Sequence, residues 1–75
     1  MHIDQELDVR GLVCPLPILR TKQSLANMSS GQTLRITATD PASVIDFQVF
    51  SDQTGNALLS LLQDRGEYIF ILKKK

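Results

Sequence analysis

Hydrophobic and polar residues alternate in two segments of the chain, a pattern that predicts two β-strands. In residues 5–10, Leu7 and Val9 are separated by charged side chains. In residues 33–39, apolar residues alternate with threonines and one arginine. Successive side chains of a strand point to opposite faces, so the second strand would bury one face against a core. The apolar residues of that face are Leu34, Ile36 and Ala38.

Residues 15–28 are predicted to form the first helix. Pro15 would occupy the first helical position, where its missing N–H leaves no helical hydrogen bond unmade. A Ser-Ser-Gly segment at residues 29–31 would end the helix. Its buried face would consist of Ile18, Thr21, Leu25 and Met28, widened by Leu19 and Ala26.

Residues 41–54 are predicted to form the second helix. Asp40 followed by Pro41 is typical of an N-cap residue and a first helical residue, and Gly55 suits the end of the helix. The apolar residues that recur at helical spacing are Val44, Phe47 and Phe50.

The last part of the chain is predicted to be a β-hairpin. Residues 67–72 are rich in strand-forming side chains, and the Arg-Gly pair before them is typical of a turn. Residues 57–63 fit a helix or a buried strand, but a hairpin needs a partner strand, which favours the strand. The order is then β-α-β-α-β-β. This predicts one α+β domain over residues 1–75, a two-layer α/β sandwich with both helices on one face of a four-stranded sheet.

This architecture leaves one face of the sheet without helices, and the hairpin is apolar on both of its faces. One apolar set must therefore lie away from the helices. It would be a docking or self-association surface, or it would be the ordinary apolar exposure of a small domain. Leu62→Lys or Phe70→Lys would separate these two interpretations.

Composition excludes several classes of protein. The 75 residues are 43% hydrophobic and 21% charged with a net charge of +0, which argues against a disordered chain or a strongly cationic nucleic-acid binder. One Cys and one His can form neither a disulfide framework nor a zinc site, so no metal or cofactor is expected.

No apolar run approaches the roughly 20 residues needed to span a membrane. The first residues do not resemble a signal peptide, so we expect a cytoplasmic protein with a reduced thiol.

Charge is unevenly distributed along the chain. Residues 9–39 contain basic but no acidic residues, whereas residues 40–67 contain five acids and one arginine. The basic residues could favour a thiolate and steer an acidic partner, or the imbalance could arise by chance in so short a chain. The three terminal lysines are predicted to form a solvated tail. The candidate partner-docking residues are Arg10, Arg20, Lys22 and Arg35.

Cys14 is the candidate reactive residue. As the N-cap of the first helix, its sulfur would face free amides at the positive end of the helix dipole, which would stabilise a thiolate and lower the pKa. Pro15 and Pro17 would stiffen this loop and remove two amides, leaving Leu16 and Ile18 as donors to the sulfur.

The absence of a second cysteine limits the chemistry of Cys14. A persulfide on this residue could not be discharged within the chain and would persist until the thiolate of a partner attacked its outer sulfur. The only histidine, His2, lies at the terminus, so a Cys-His nucleophilic enzyme is not expected. The alternative for a lone cysteine is a small buried hydrophobic side chain.

The segment from Asp8 to Pro17 resembles a known family. Its sequence, DVRGLVCPLP, is similar to the D-x-x-G-x-x-C-P-x-P signature of the TusA-like (SirA-like) sulfur carrier proteins. The resemblance extends over nearly the whole chain. It implies a two-layer sandwich and a signature cysteine, Cys14, that carries sulfane sulfur as a persulfide.

The resemblance also implies partners and roles. A cysteine desulfurase or rhodanese-type enzyme would load Cys14, and a downstream acceptor cysteine would take the sulfur for tRNA 2-thiouridine synthesis, sulfur oxidation or molybdenum cofactor metabolism. No direct contact with nucleic acid or membrane is expected, and the protein would be a monomer or weak dimer. Residues that would shape the loop and the helix N-terminus are Asp8, Gly11, Pro15, Leu16 and Pro17.

Two other functions remain open at this stage. The chain could be a non-catalytic module that binds protein or RNA, although neutral charge and one tyrosine argue against stacking on RNA bases. It could also be a thiol redox sensor in which Cys14 cycles through sulfenic acid.

Overall fold

A computed structural model describes residues 1–75. The chain forms a four-stranded mixed sheet with two helices, and the predicted order β-α-β-α-β-β is confirmed. No helix is both long enough and apolar enough to cross a membrane. The elements are β1 (Gln5–Val9), α1 (Leu16–Ala26), β2 (Thr33–Ala38), α2 (Ser43–Thr54), β3 (Ala57–Asp64) and β4 (Glu67–Lys73).

The strands lie side by side in the order β1-β2-β4-β3. The pair β1 and β2 is parallel, whereas β4 runs antiparallel to both β2 and β3. Parallel neighbours need a crossover connection, and α1 supplies it between β1 and β2. The carboxyl ends of β1 and β2 therefore lie at the same edge of the sheet, and the loops that follow them meet there.

The core lies between the sheet and the two helices. All three apolar residues of the predicted inner face of β2 are fully buried, as are Phe47 of α2 and Phe70 of β4. The rings of Phe47 and Phe70 stack with their centroids 4.3 Å apart, which joins the second helix to the central strand. The alternation in β2 is thus confirmed as a signal for one buried face.

The first helix differs from the prediction at its ends and on one side. It begins at Leu16 rather than Pro15 and ends at Ala26. Met28 is buried as predicted, but it lies in the turn after the helix. Leu19 is 44% exposed, so its assignment to the buried face is wrong. The buried residues of α1 are Pro17, Thr21 and Leu25, which lie four positions apart on one side of the helix.

The second helix begins later than predicted, at Ser43. Val44, predicted to face the core, is only half-buried, and the preceding residue, Ser43, is buried instead. Gly55 ends the helix with a φ of 79°, as its predicted role requires.

The hairpin of β3 and β4 is confirmed. Arg65 and Gly66 form its turn with φ values of 51° and 80°, the left-handed geometry that suits the twist of a two-residue hairpin turn. Leu62 is 60% exposed and pairs with half-buried Ile69 on the face without helices. Phe70 is fully buried on the opposite face, so Phe70→Lys would disrupt the core and would not test a docking surface.

The carboxyl terminus is not the solvated tail that the sequence predicted. Lys73 belongs to β4, and the Lys74 N–H donates to the carbonyl of Gln32 at 2.8 Å. The Lys75 N–H donates to Oδ1 of Asn56 at 2.9 Å. These backbone bonds hold the last residues against the loops before β2 and β3.

Candidate functional site

The loop that carries Cys14 begins at the end of β1 with an ion pair between Asp8 and Arg10. The carboxylate of Asp8 accepts hydrogen bonds from the backbone N–H of Arg10 at 3.0 Å and from its guanidinium at 2.9 Å. These hydrogen bonds lower the pKa of Asp8 to about 2. Arg10 also reaches Glu67 at 3.4 Å, so a predicted docking residue is already engaged within the chain.

Gly11 turns the loop back towards β2. Its φ of 80° is a left-handed geometry that glycine adopts without strain. Its N–H donates to Oγ1 of Thr39 at 2.9 Å, and the Leu12 N–H donates to the Val9 carbonyl at 3.2 Å. The loop after β1 is thereby joined to the residue that follows β2.

Asp40 connects the Cys14 loop to the start of α2. One carboxylate oxygen accepts from the Cys14 N–H at 2.9 Å, and the other accepts from the Ala42 N–H at 3.1 Å. The Asp40 carbonyl also accepts from the Ser43 N–H at 2.9 Å. The prediction that Asp40 is the N-cap of α2 is wrong, because Ala42 holds that position without a side-chain capping hydrogen bond. The fold instead brings the Asp40 carboxylate to the backbone of the cysteine.

Cys14 is exposed, but it is not the N-cap of α1. Pro15 holds that position without any side-chain hydrogen bond, and the Leu16 N–H donates to the Val13 carbonyl at 2.9 Å. Leu16 therefore does not donate to the sulfur, and the predicted capping geometry is wrong. A tight turn at Val13, closed by this hydrogen bond, places the cysteine outside the first turn of the helix.

The charges around the thiol are also opposite to those predicted. Hydrogen bonding to the Asp46 carboxylate raises the pKa of Cys14, and desolvation and the negative charges of Asp46 and Asp40 act in the same direction. The prediction of a lowered pKa considered only neighbours in sequence. The fold brings the acidic second half of the chain to the thiol through α2.

The four candidate docking cations do not form one patch around Cys14. Lys22 of α1 lines the cleft beside it. Arg20 is exposed on the same helix, and Arg10 is paired at the end of β1. Arg35 lies in β2, where its guanidinium contacts Glu6 of β1 at 2.7 Å on the face away from the core.

A cleft of about 280 Å³ opens between α1 and α2 at Cys14. Pro15 and Ile18 line the cleft with apolar side chains from the side of α1, and Val49 and Phe50 line it from the side of α2. Pro17 is a buried residue in the first turn of α1, whereas Leu16, the first residue of the helix, is 41% exposed. The polar lining residues are Lys22, Asp46, Gln53 and Thr54.

The groups in this cleft suit covalent chemistry on sulfur. One exposed thiol faces one carboxylate across a space open to a visiting side chain. The structure contains no group of three or more His, Cys, Asp or Glu side chains that could hold a metal ion. Sequence reasoning missed Asp46, because nothing in its local pattern distinguishes it from an ordinary acid in the first turn of a helix.

The chain is similar in sequence to known proteins. Residues 5–74 match the family described as Sulfurtransferase TusA. The sulfur carrier protein TusA of Allochromatium vinosum is 56% identical over 71 residues, covering 95% of this chain and 93% of that protein. The sulfur carrier protein TusA of Pseudomonas putida is 35% identical over 72 residues, covering 96% and 90%.

A solved structure has the same fold. The crystal structure of a SirA-like protein from Desulfitobacterium hafniense superimposes with a TM-score of 0.81, covering 92% of this chain and 95% of that one at 24% identity. The fold, the thiol in its open cleft and the match over residues 5–74 lead to one conclusion. The chain belongs to the TusA family of sulfur carrier proteins.

Proposed function

We propose that this protein carries sulfane sulfur as a persulfide on Cys14. A cysteine desulfurase or rhodanese-type enzyme loads the residue, and the cysteine of a downstream acceptor protein unloads it. The observation that carries the proposal is the position of Cys14, the only cysteine of the chain, which is exposed in a cleft with open access. A thiol buried in the core would support a structural role instead.

Loading and unloading are the same exchange in opposite directions. The Cys14 thiolate attacks the outer sulfur of the donor persulfide, a new S–S bond forms, and the donor sulfur leaves with the electron pair as a thiolate. In unloading, the acceptor thiolate attacks the outer sulfur on Cys14, and the Cys14 sulfur is the leaving group. With no second thiol in the chain, the loaded sulfur leaves only to a partner.

The surface around the cleft suits brief contact with two different partners. Val13 is 65% exposed and Leu16 is 41% exposed, so apolar contacts lie on both sides of Cys14 in sequence. Lys22 adds a cation inside the cleft, and Arg20 adds another on the same helix. A partner would cover these residues while its own cysteine reaches Cys14. We place the reaction in the reducing cytoplasm, between protein partners and without direct contact with nucleic acid.

The proposal extends to a sulfur relay that ends in tRNA 2-thiouridine, sulfur oxidation or molybdenum cofactor metabolism. The three pathways require the same persulfide on Cys14 and differ in the acceptor. Incubating the loaded protein with the acceptor of each pathway and measuring which one removes the sulfur would distinguish them.

A redox sensor is less well supported. Peroxide reacts with a thiolate, and the carboxylate of Asp46 raises the pKa of Cys14, which reduces the thiolate fraction. Slow oxidation of Cys14 by peroxide, together with uptake of sulfur from a persulfide donor, would agree with the carrier function.

The direct test is intact-mass analysis after incubation with a cysteine desulfurase and free cysteine. The protein should gain about 32 Da, one sulfur atom, and a reductant should remove it. Cys14→Ser should gain nothing, while Asp52→Asn, which alters an exposed residue on α2 outside the cleft, should load like wild type. Sulfur uptake by Cys14→Ser, or none by wild type with any desulfurase or rhodanese-type donor, would contradict the proposal.

A further inference from the structure

Asp46 is one of three acids, with Asp40 and Asp52, whose carboxylates form no ion pair, and it is the one that lines the cleft of Cys14. Asp4, Glu6, Asp8, Asp64 and Glu67 all belong to ion pairs, but Asp46 belongs to none. It is half-buried in the first turn of α2 and lines the same cleft as Cys14. Interaction with this carboxylate raises the pKa of the Cys14 thiol.

The charged groups facing the sulfur come from three segments. Asp46 is supplied by α2, Asp40 by the loop before α2, and Lys22 by α1. Asp40 already accepts hydrogen bonds from two backbone N–H groups through its carboxylate. Lys22 forms no ion pair with Asp46 within 4.0 Å. Of the two acids near the sulfur, Asp46 is therefore the one whose carboxylate has neither an ion pair nor a hydrogen bond from a backbone N–H.

The unloaded and loaded forms of Cys14 differ in what they present to this carboxylate. The thiol is neutral and can donate its proton to Asp46. A persulfide is more acidic than the thiol from which it forms, so the loaded form tends to carry a negative charge on its outer sulfur. That sulfur lengthens the side chain by one atom within the cleft, where a second negative charge is disfavoured beside Asp46.

We propose that Asp46 is a positioning residue that favours unloaded over loaded Cys14 and thereby drives sulfur towards the acceptor. This inference rests on the proposed carrier function. In the balanced reaction, an acceptor thiolate, the anionic persulfide on Cys14 and one proton give an acceptor persulfide anion and the Cys14 thiol. The new bond joins the acceptor sulfur to the outer sulfur, and the bond from the outer sulfur to Sγ breaks. The electron pair stays on Sγ, which takes the proton and hydrogen-bonds to Asp46.

The first arm of the test does not depend on sulfur transfer. The rate of Cys14 alkylation by iodoacetamide is measured against pH for wild type, Asp46→Asn and the control Asp52→Asn, which removes the same charge from an exposed position on α2. Asp46→Asn should move the pH profile to lower pH and speed alkylation at pH 7 about two- to fivefold, as expected for the loss of one partly exposed charge interaction. Asp52→Asn should match wild type. Circular dichroism would verify that each variant is folded.

The second arm measures loading at equilibrium. Each protein is incubated with glutathione persulfide and excess glutathione, and intact mass gives the ratio of loaded to unloaded protein. This ratio should rise about two- to fivefold in Asp46→Asn and stay at the wild-type value in Asp52→Asn. An unchanged alkylation profile, or an unchanged loading ratio, in Asp46→Asn overturns the inference while leaving the carrier function intact. Failure of wild type to load from any donor overturns the carrier function itself, and the inference falls with it.

Discussion

Replacing Asp40 tests whether one carboxylate holds the Cys14 loop to the second helix. Asp40→Ala removes the hydrogen bonds to the N–H groups of Cys14 and Ala42, at 2.9 and 3.1 Å. The bond to Ala42 resembles a capping interaction, whose loss costs about 1 kcal/mol. The bond to Cys14 has a charged acceptor but is exposed to solvent, and it adds about 1 kcal/mol. We therefore expect the free energy of unfolding to fall by about 2 kcal/mol, which for a domain of this size lowers the Tm by roughly 10 °C.

Urea denaturation followed by circular dichroism would measure this change, with thermal unfolding as a second readout. Asp40→Asn keeps one acceptor oxygen and should lose about half as much stability. Asp52→Ala is the matched control, because Asp52 is exposed on α2 and forms no ion pair. If Asp40→Ala and Asp52→Ala unfold at the same urea concentration, Asp40 does not connect the loop to the helix in the way we infer.

Two further changes probe the hairpin and the end of β1. Phe70→Ala should lose about 3–5 kcal/mol of unfolding free energy, because the ring stacks on Phe47 in the core, whereas Leu62→Lys on the exposed face should change it by less than about 0.5 kcal/mol. Urea denaturation of both variants checks this, and equal losses would refute the assigned faces of the hairpin. The pKa of Asp8 is about 2 in the folded protein and 3.8 without its partners, so its contribution to stability is present above pH 3.8 and is lost as the pH falls towards 2. Urea midpoints measured across this range should fall with pH more steeply in wild type than in Asp8→Asn, and parallel curves would contradict the role of the Arg10 contact.

The sheet could be predicted from the chain because its signals are local. The alternation in β2 identifies the buried face directly, and the Arg65-Gly66 turn identifies the hairpin even though the leucines of β3 are ambiguous on their own. The limits of the helices were less accurate. Hydrogen bonds to Val13 and Asp40 form turns directly before α1 and α2, so each helix begins later in the sequence than predicted. These turns depend on the loops and leave no trace in the helical periodicity.

The chemical surroundings of Cys14 could be predicted only in part. The motif identifies the cysteine and its prolines, because they are contiguous. Asp40 and Asp46 lie 26 and 32 positions later in the sequence and reach the thiol only through the fold. The lowered pKa predicted from the helix end was therefore wrong, since Cys14 does not cap α1 and the carboxylate of Asp46 raises the pKa.

The parallel alignment of β1 with β2 has a practical consequence for work on the isolated motif. A synthetic decapeptide covering residues 8–17 would contain the complete signature, yet it would lack Thr39, Asp40 and Asp46. Its thiol would react as an ordinary solvated cysteine. Screening compounds or labels against such a peptide would select for chemistry that the folded carrier does not offer.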